Sequence, residues 1–245
     1  MNTPYQDSQM ALKYLDFLNS PNGQIQQAVL LKSIKDSLPK DKKIKILDAG
    51  CGSGWLANEL NKHYEEVYGF DASDFLIRFA STHAKDVKLR AASLEKPLPY
   101  HDKFFDVVIL NMVGPDLSDL SKAFKHVAKT LKDEASVLMT IPHPDYTYPA
   151  AEWKKGFLGL FGKKPKLIKL AAPKSGQKIE REFGKNSKIS SYYYTINDYE
   201  KAAKGAGLRK IKTLEITGSV DSSTFNLSYQ LFRYPLLLLL EFSKG

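Results

Sequence analysis

One short stretch holds residue types that could do chemistry together. In Ile46-Leu47-Asp48-Ala49-Gly50-Cys51-Gly52-Ser53-Gly54-Trp55, a carboxylate stands two residues before the first of three glycines. Glycines this dense are expected where a ligand lies against the backbone or where φ must be positive. A phosphate would be repelled by Asp48, whereas an ammonium or sulfonium cation would be attracted. The dinucleotide pattern G-x-G-x-x-G also fails, because position 55 is Trp55 rather than glycine. A second carboxylate, Asp71, ends the apolar run that starts at Glu66. There it could accept two hydrogen bonds from sugar hydroxyls. His143 follows another apolar run, and an imidazole near its ordinary pKa could take a proton from an acceptor.

Strands and helices must hold these groups in place. Ile44 to Ala49 reads as a strand, Trp55 to Tyr64 as a helix, Glu66 to Phe70 as a second strand, and Ser73 as the N-cap of the next helix. Val87 to Ala91 is expected to be a third strand and Phe104 to Leu110 a fourth, buried one. Leu117, Leu120, Phe124, Val127, Ala128 and Leu131 share one helical face. Ser136 to Ile141 is the fifth strand, stopped by Pro142-His143-Pro144. Before all of this, the spacing predicts two helices, broken at Ser20-Pro21-Asn22-Gly23. Tyr14 or Gln24 on this pair could face the pocket. Toward the end, Ile196 to Ala206 reads as a helix, Leu208 to Ile216 as a strand, and Ser228 to Phe232 with Leu236 to Phe242 as the closing antiparallel strand.

The glycine run resembles the first motif of the class I S-adenosylmethionine-dependent methyltransferases, which Asp48, Gly50 and Gly52 match position for position. Gly69-Phe70-Asp71-Ala72-Ser73 is similar to their second motif. The resemblance implies S-adenosyl-L-methionine as cofactor, held by Asp48, Gly50, Cys51, Gly52, Asp71, Ala72, Ser93, Leu94 and Asn111, with Asp71 on the ribose and His143 as the catalytic base. The family places an acid after the third strand to hold the adenine amino group. Here Ala92 and Ser93 stand near that point and Glu95 slightly later, so Ser93, a backbone group or Glu95 takes its place. Met112-Val113-Gly114-Pro115 lacks the two prolines and aromatic residue of the enzymes that methylate exocyclic amines of nucleic acids. The implied fold is α/β, a doubly wound, mostly parallel seven-stranded sheet with an N-terminal helical cap and a lid inserted after the fifth strand. Residues 1–245 are expected to form a single methyltransferase domain: 1–43 the cap, 44–141 the cofactor-binding core, 142–190 a basic aromatic lid, 191–245 the closing helix and strands.

Composition narrows the classes further. Cys51 is the one cysteine of 245 residues, which excludes an intrachain disulfide or a cysteine-rich metal site and makes the cytoplasm the expected location. No metal is implied by His and acid spacing. The longest apolar run, Leu236 to Leu240, is far too short to span a membrane. The net charge of +9 is concentrated: residues 151–190 hold eleven Lys and Arg against three acids, and the rest of the chain 25 against 24. Tyr146, Tyr148, Trp153, Phe157 and Phe161 are interleaved with these cations. Such a segment could close over an acceptor, line a nucleic-acid groove or touch an anionic membrane surface. The expected reaction is methyl transfer to a small-molecule acceptor, with an oxygen favoured and an acidic or amphipathic compound left open. An RNA or tRNA methyltransferase, or a non-catalytic scaffold recruiting an acidic partner, is the alternative; no separate nucleic-acid module is visible.

Overall fold

The computed structural model describes residues 4–154, 166–183, 187–217 and 234–245. The expected strand over Ser228–Phe232 lies outside these residues, as do Phe157 and Phe161. A 3-10 turn, Pro4–Gln6, leads into α1 (Ser8–Asn19) and α2 (Pro21–Ser37). Ser20 ends one helix and starts the other: its amide donates to Phe17 O, and its hydroxyl accepts from the Gly23 amide at 3.1 Å. Pro21 at the first helical position lacks only an N–H that would have had no partner there.

Alternation of β1 (Lys45–Ala49), α3 (Trp55–Asn61), β2 (Glu66–Asp71), α4 (Asp74–His83), β3 (Lys88–Ala91), β4 (Phe105–Asn111), α5 (Leu120–Thr130) and β5 (Leu131–Pro142) builds a parallel sheet. Two hairpins follow, β6 (Ala151–Lys154) with β7 (Lys166–Lys169) and β8 (Lys178–Glu182) with β9 (Lys188–Tyr192). Then α6 (Ile196–Gly205), β10 (Leu208–Ile216) and β11 (Leu237–Lys244) complete the chain. The main sheet has seven strands in the order β10-β11-β5-β4-β1-β2-β3, and β11 is antiparallel to both neighbours. This is the expected doubly wound, mostly parallel sheet.

Both faces of the sheet are covered, which is why its central strands are apolar throughout. Leu47, Val108, Val137, Met139 and Leu240 pack toward α5 and α6, with Phe124, Val127 and Ala203. Ile46, Val107, Ile109, Leu138 and Leu239 pack on the other side against α2 and α3, with Leu30, Ile34, Leu56 and Leu60. The chain winds outward from β1 to β2 and β3, then returns to β4 on the other side of β1. That reversal opens a crevice beyond the carboxyl ends of β1 and β4, where open α/β sheets bind ligands.

The structure differs from the sequence reading between β5 and α6. The sheet pattern is lost there in sequence, yet hairpins form. Their strands are short and rich in charge, as in Lys178-Ile179-Glu180-Arg181-Glu182, without an apolar run. The helix read from Leu117 starts at Leu120, where Asp119 caps it by accepting from the Lys122 amide; a 3-10 turn, Gly114–Asp116, precedes it. Among the described residues no helix is long and apolar enough to cross a membrane.

Candidate active site

The glycine turn closes back onto β2. The amides of Gly50 and Cys51 both donate to Phe70 O at 2.8 Å, and the Gly52 amide donates to Asp71 Oδ2 at 2.9 Å. Asp71 Oδ1 accepts from the Ser73 amide at 2.8 Å, so the carboxylate is gripped from both sides of the crevice. Burial nonetheless raises its pKa, partly offset by these amides and that of Ala72. Gly50 and Gly52 have φ of 83° and 54°. A side chain at Gly50 would meet Val113 Cγ2 at 2.8 Å, and one at Gly52 would meet Tyr14 Oη at 2.8 Å. The turn is therefore glycine both for its dihedrals and because a ring sits directly over it.

Asp48 lies beneath the turn, 1% exposed, and neither carboxylate oxygen has a hydrogen-bond partner among the described residues. Desolvation, with Asp71 adding repulsion, raises its pKa to about 7; the nearby Ala57 amide relieves this only in part. A buried carboxyl so poorly satisfied is a costly arrangement unless a cation or donor completes it.

The first of two adjoining cavities, of about 110 Å³, runs from this turn over Asp71, Ala72, Ser93, Leu94 and Glu95 to Asp116. The N-terminal cap closes it. Ser73 Oγ donates to Tyr5 O at 2.6 Å, Gln6 Nε2 donates to Ala72 O at 3.3 Å, and the rings of Tyr5 and Tyr14 lie 5.3 Å apart. Tyr14 thus faces the site as one of the two expected candidates. Gln24 does not: its amide donates to Asn19 O on the exposed surface. Ser93 and Glu95 both line the cavity where the family's adenine-binding acid would stand. Glu95 Oε1 is engaged by the amide and hydroxyl of Ser118, while Ser93 Oγ accepts from the Glu95 amide.

The second cavity, of about 790 Å³, lies between the carboxyl end of the sheet and the hairpins. Met112, Pro142, Leu236 and Leu237 form its apolar side, and Tyr192, Tyr193, Tyr194 and Tyr199 an aromatic side. Tyr194 is buried and its hydroxyl donates to Leu117 O at 2.9 Å.

Of the expected site residues, Asp48, Cys51, Gly52, Asn111 and His143 line neither cavity. Cys51 is buried with its sulfur turned toward Gly69 of β2, and burial raises its thiol pKa. Asn111 lines neither cavity. Its Oδ1 accepts from Thr140 Oγ1 at 2.7 Å, and Thr140 in turn accepts the Met112 amide. That pair holds Met112 at a φ of 61°, in the wall of the larger cavity. His143 also lines neither cavity, although Pro142 and Pro144 beside it line the larger one. Its Nδ1 accepts from the Asp145 amide at 3.1 Å, and its Nε2 faces Glu215 Oε1 of β10 at 3.7 Å. Burial lowers its pKa. Reasoning from the strand end put His143 at the site, but the turn after Pro142 rotates the ring toward the sheet edge.

Two residues that sequence reasoning did not single out stand at the junction of the cavities. Asp116 lines the smaller one, while Pro115 before it lines the larger. Its Oδ1 is shielded from solvent without a partner among the described residues. Burial raises its pKa to about 7, against the opposing field of Arg181. Arg181, on β8, lines the larger cavity. A Gly-Pro-Asp after the fourth strand was a signal for Asp116; nothing local marked Arg181.

Comparison with known proteins agrees with this geometry. Residues 47–139 match the family described as methyltransferase domain. That match spans the strands from β1 to β5 and the glycine turn between them. It is 33% identical over 129 residues to a ubiquinone biosynthesis O-methyltransferase of Pelagibacter ubique, covering 46% of this chain and 54% of that protein. It is 30% identical over 107 residues to a malonyl-[acyl-carrier protein] O-methyltransferase of Bacillus cytotoxicus, covering 40% of this chain and 37% of that one. The chain therefore spans about half or less of the length of these relatives. In fold it is similar to an S-adenosylmethionine-dependent methyltransferase from Mesorhizobium loti, with a TM-score of 0.70 at 18% identity over 90% of this chain and all of that one.

The cofactor fits the residues present. Asp48 offers two unpartnered buried oxygens to a cation, the glycine turn leaves its backbone open to close approach, and Asp71 is oriented by backbone amides with lone pairs to spare. When bound, S-adenosylmethionine supplies a methyl group already activated by its sulfonium.

Proposed function

We propose that this protein transfers a methyl group from S-adenosylmethionine to an oxygen of a small, largely apolar acceptor. The observation that carries the reading is the buried Asp48 beneath a glycine turn whose Gly50, with Asp71, lines a cavity beside a larger apolar and aromatic one. Both named relatives are O-methyltransferases, which supports oxygen as the acceptor atom.

In this reading residues 1–43 cap the cofactor, 44–141 bind it, 142–190 close over the acceptor, and 191–245 complete the sheet. Asp48 holds the cationic methionine end, Asp71 accepts the ribose hydroxyls, and Ser93, Leu94 and Ala72 line the adenosine side. The protein's task is to align the acceptor and exclude water, because the methyl group is activated beforehand. Deprotonation of a hydroxyl falls to Asp116 rather than His143. Asp116 Oδ1 has no competing partner, stands at the junction and titrates near neutrality, whereas His143 Nδ1 already accepts a backbone amide. The larger cavity, at about 790 Å³, falls within the range that suits a small organic molecule.

The test is calorimetric titration with S-adenosylmethionine and S-adenosylhomocysteine, followed by an acceptor screen using radiolabelled methyl. Binding in the micromolar range, lost in Asp71→Ala and Gly52→Val proteins that remain folded, is the expected result. Absence of binding at millimolar cofactor by folded wild type would sink the proposal.

A further inference from the structure

Arg181 is the penultimate residue of β8 and differs from Lys188 on the paired strand β9. Lys188 and Glu180, which also line the larger cavity, form a pair at 3.6 Å with side chains 70% and 66% exposed, so their charges are neutralised and solvated at the rim. Arg181 is half-buried, and its Nε is shielded from solvent with no hydrogen-bond partner among the described residues. A guanidinium N–H withdrawn from water and left unpaired costs free energy that a bound acceptor group would recover. Asp116 is the nearby carboxyl that feels its field, but burial holds that group to a pKa of about 7, so it balances the guanidinium only in part at neutral pH. Met112, Pro142, Leu236 and Leu237, which carry no charge, also line the cavity, as does the acid Glu152.

We propose that Arg181 receives the carboxylate of an amphipathic acceptor, whose apolar body lies along Met112, Leu236 and Leu237. The guanidinium fork presents Nε–H and an Nη–H side by side, matching two carboxylate oxygens. A carboxylate fits better than a phosphate because one inward-facing guanidinium supplies one positive charge, and the second cation on the wall, Lys188, is already paired. The inference rests on the methyltransferase reading for the word acceptor; the anion site itself stands on Arg181 and the cavity.

The experiment is calorimetric titration of the whole protein with decanoate, decanamide and decyl phosphate, with and without S-adenosylhomocysteine, using wild type, Arg181→Lys and Arg181→Gln. Decanoate is expected to bind wild type about ten- to a hundredfold more tightly than decanamide, the range of one charge-assisted hydrogen-bond pair. Arg181→Gln should bring decanoate down to the affinity of the amide. Arg181→Lys should keep part of the preference, having the charge without the fork. Unchanged S-adenosylhomocysteine affinity in both variants would show that the fold is intact. Equal binding of decanoate and decanamide, or a preference that survives in Arg181→Gln, overturns the proposal. Tighter binding of decyl phosphate than decanoate overturns the carboxylate assignment. Failure of S-adenosylhomocysteine to bind wild type, with the decanoate preference present, would remove the methyltransferase reading and leave the anion site standing.

Discussion

If Asp48 is the counter-charge of a cationic cofactor, the affinity for that cofactor must follow the ionisation of this one carboxyl. Its pKa in the ligand-free protein is raised to about 7 by burial and by Asp71. A cation binds the ionised form, so at one unit below that pKa about a tenth of the protein is competent, and at one unit above about nine-tenths. Affinity for S-adenosylmethionine should therefore fall about tenfold between pH 8 and pH 6. Below pH 7 binding should also release close to one proton, read as a dependence of the binding heat on the ionisation enthalpy of the buffer. Asp48→Asn keeps the shape and removes the charge. It should weaken binding at pH 8 by about ten- to a hundredfold, the range for a charge-assisted contact, and flatten the pH dependence. Asp116 titrates in the same window and lines the smaller cavity, so the series is repeated in Asp116→Asn, where the Asp48 slope must persist. Stability provides an independent check. A carboxyl whose folded pKa lies above its unfolded one favours the folded state most at low pH, and that contribution is lost as pH rises from about 4 through 7. A shift from 3.8 to about 7 corresponds to roughly 4 kcal/mol for this buried group. Asp48→Asn should remove that decline from the apo-protein's unfolding curves. A flat wild-type affinity between pH 6 and 8, or wild-type affinity in Asp48→Asn at pH 8, would refute the reasoning.

Three further outcomes are expected. Gly52→Ala places a methyl 2.8 Å from Tyr14 Oη at a φ of 54°; it should weaken cofactor binding at least tenfold by isothermal titration, and Tyr14→Ala in the same chain should restore part of the loss by vacating the space. Asp116→Asn should lower kcat by about a hundredfold or more while cofactor affinity at pH 8 changes little, as loss of a general base does; unchanged kcat would move the proton to solvent. His143→Ala leaves the Asp145 amide unpaired and should cost about 1–3 kcal/mol in urea unfolding, with kcat at 25 °C nearly intact. Because burial lowers the His143 pKa, the stability it confers is present above the unfolded value and lost as pH falls through the folded one. The destabilisation by His143→Ala should therefore shrink as pH falls below the ordinary imidazole range, and a large kcat defect at full folding would return His143 to the chemistry.

The parts of the site that were legible in the sequence depend on contacts within one βα unit or between adjacent ones. Asp48, Gly50, Gly52 and Asp71 fall on successive strand ends. The pairing of β1 with β2 in parallel register, Asp48 opposite Gly69 and Ala49 opposite Phe70, brings them together without help from distant chain. The same locality made Ser73 readable as a cap, since a cap is satisfied three residues away. His143 misled because topology fixes where a strand ends but not how the following turn rotates its side chains. There the Asp145 amide and Glu215, 72 residues further on, decide the orientation. Tyr5, Asp116 and Arg181 were invisible as a group for the same reason taken further. They come from the N-terminal turn, the segment after β4 and a hairpin, and their positions are coupled through packing such as Tyr5 against Phe183, two residues beyond Arg181. Phe183 also meets Phe17 of α1, and Lys13 reaches Ser187, so the β8–β9 hairpin that carries Arg181 is docked on the cap that carries Tyr14. An acceptor drawn toward Arg181 and a cofactor held beneath Tyr14 would thus bear on two elements in mutual contact. Occupancy of one cavity should then protect the amides of the elements lining the other from hydrogen exchange. Protection of the β8–β9 amides by S-adenosylhomocysteine alone is the expected sign of that coupling, and unchanged exchange in β8–β9 would show that the cap and the hairpin move independently.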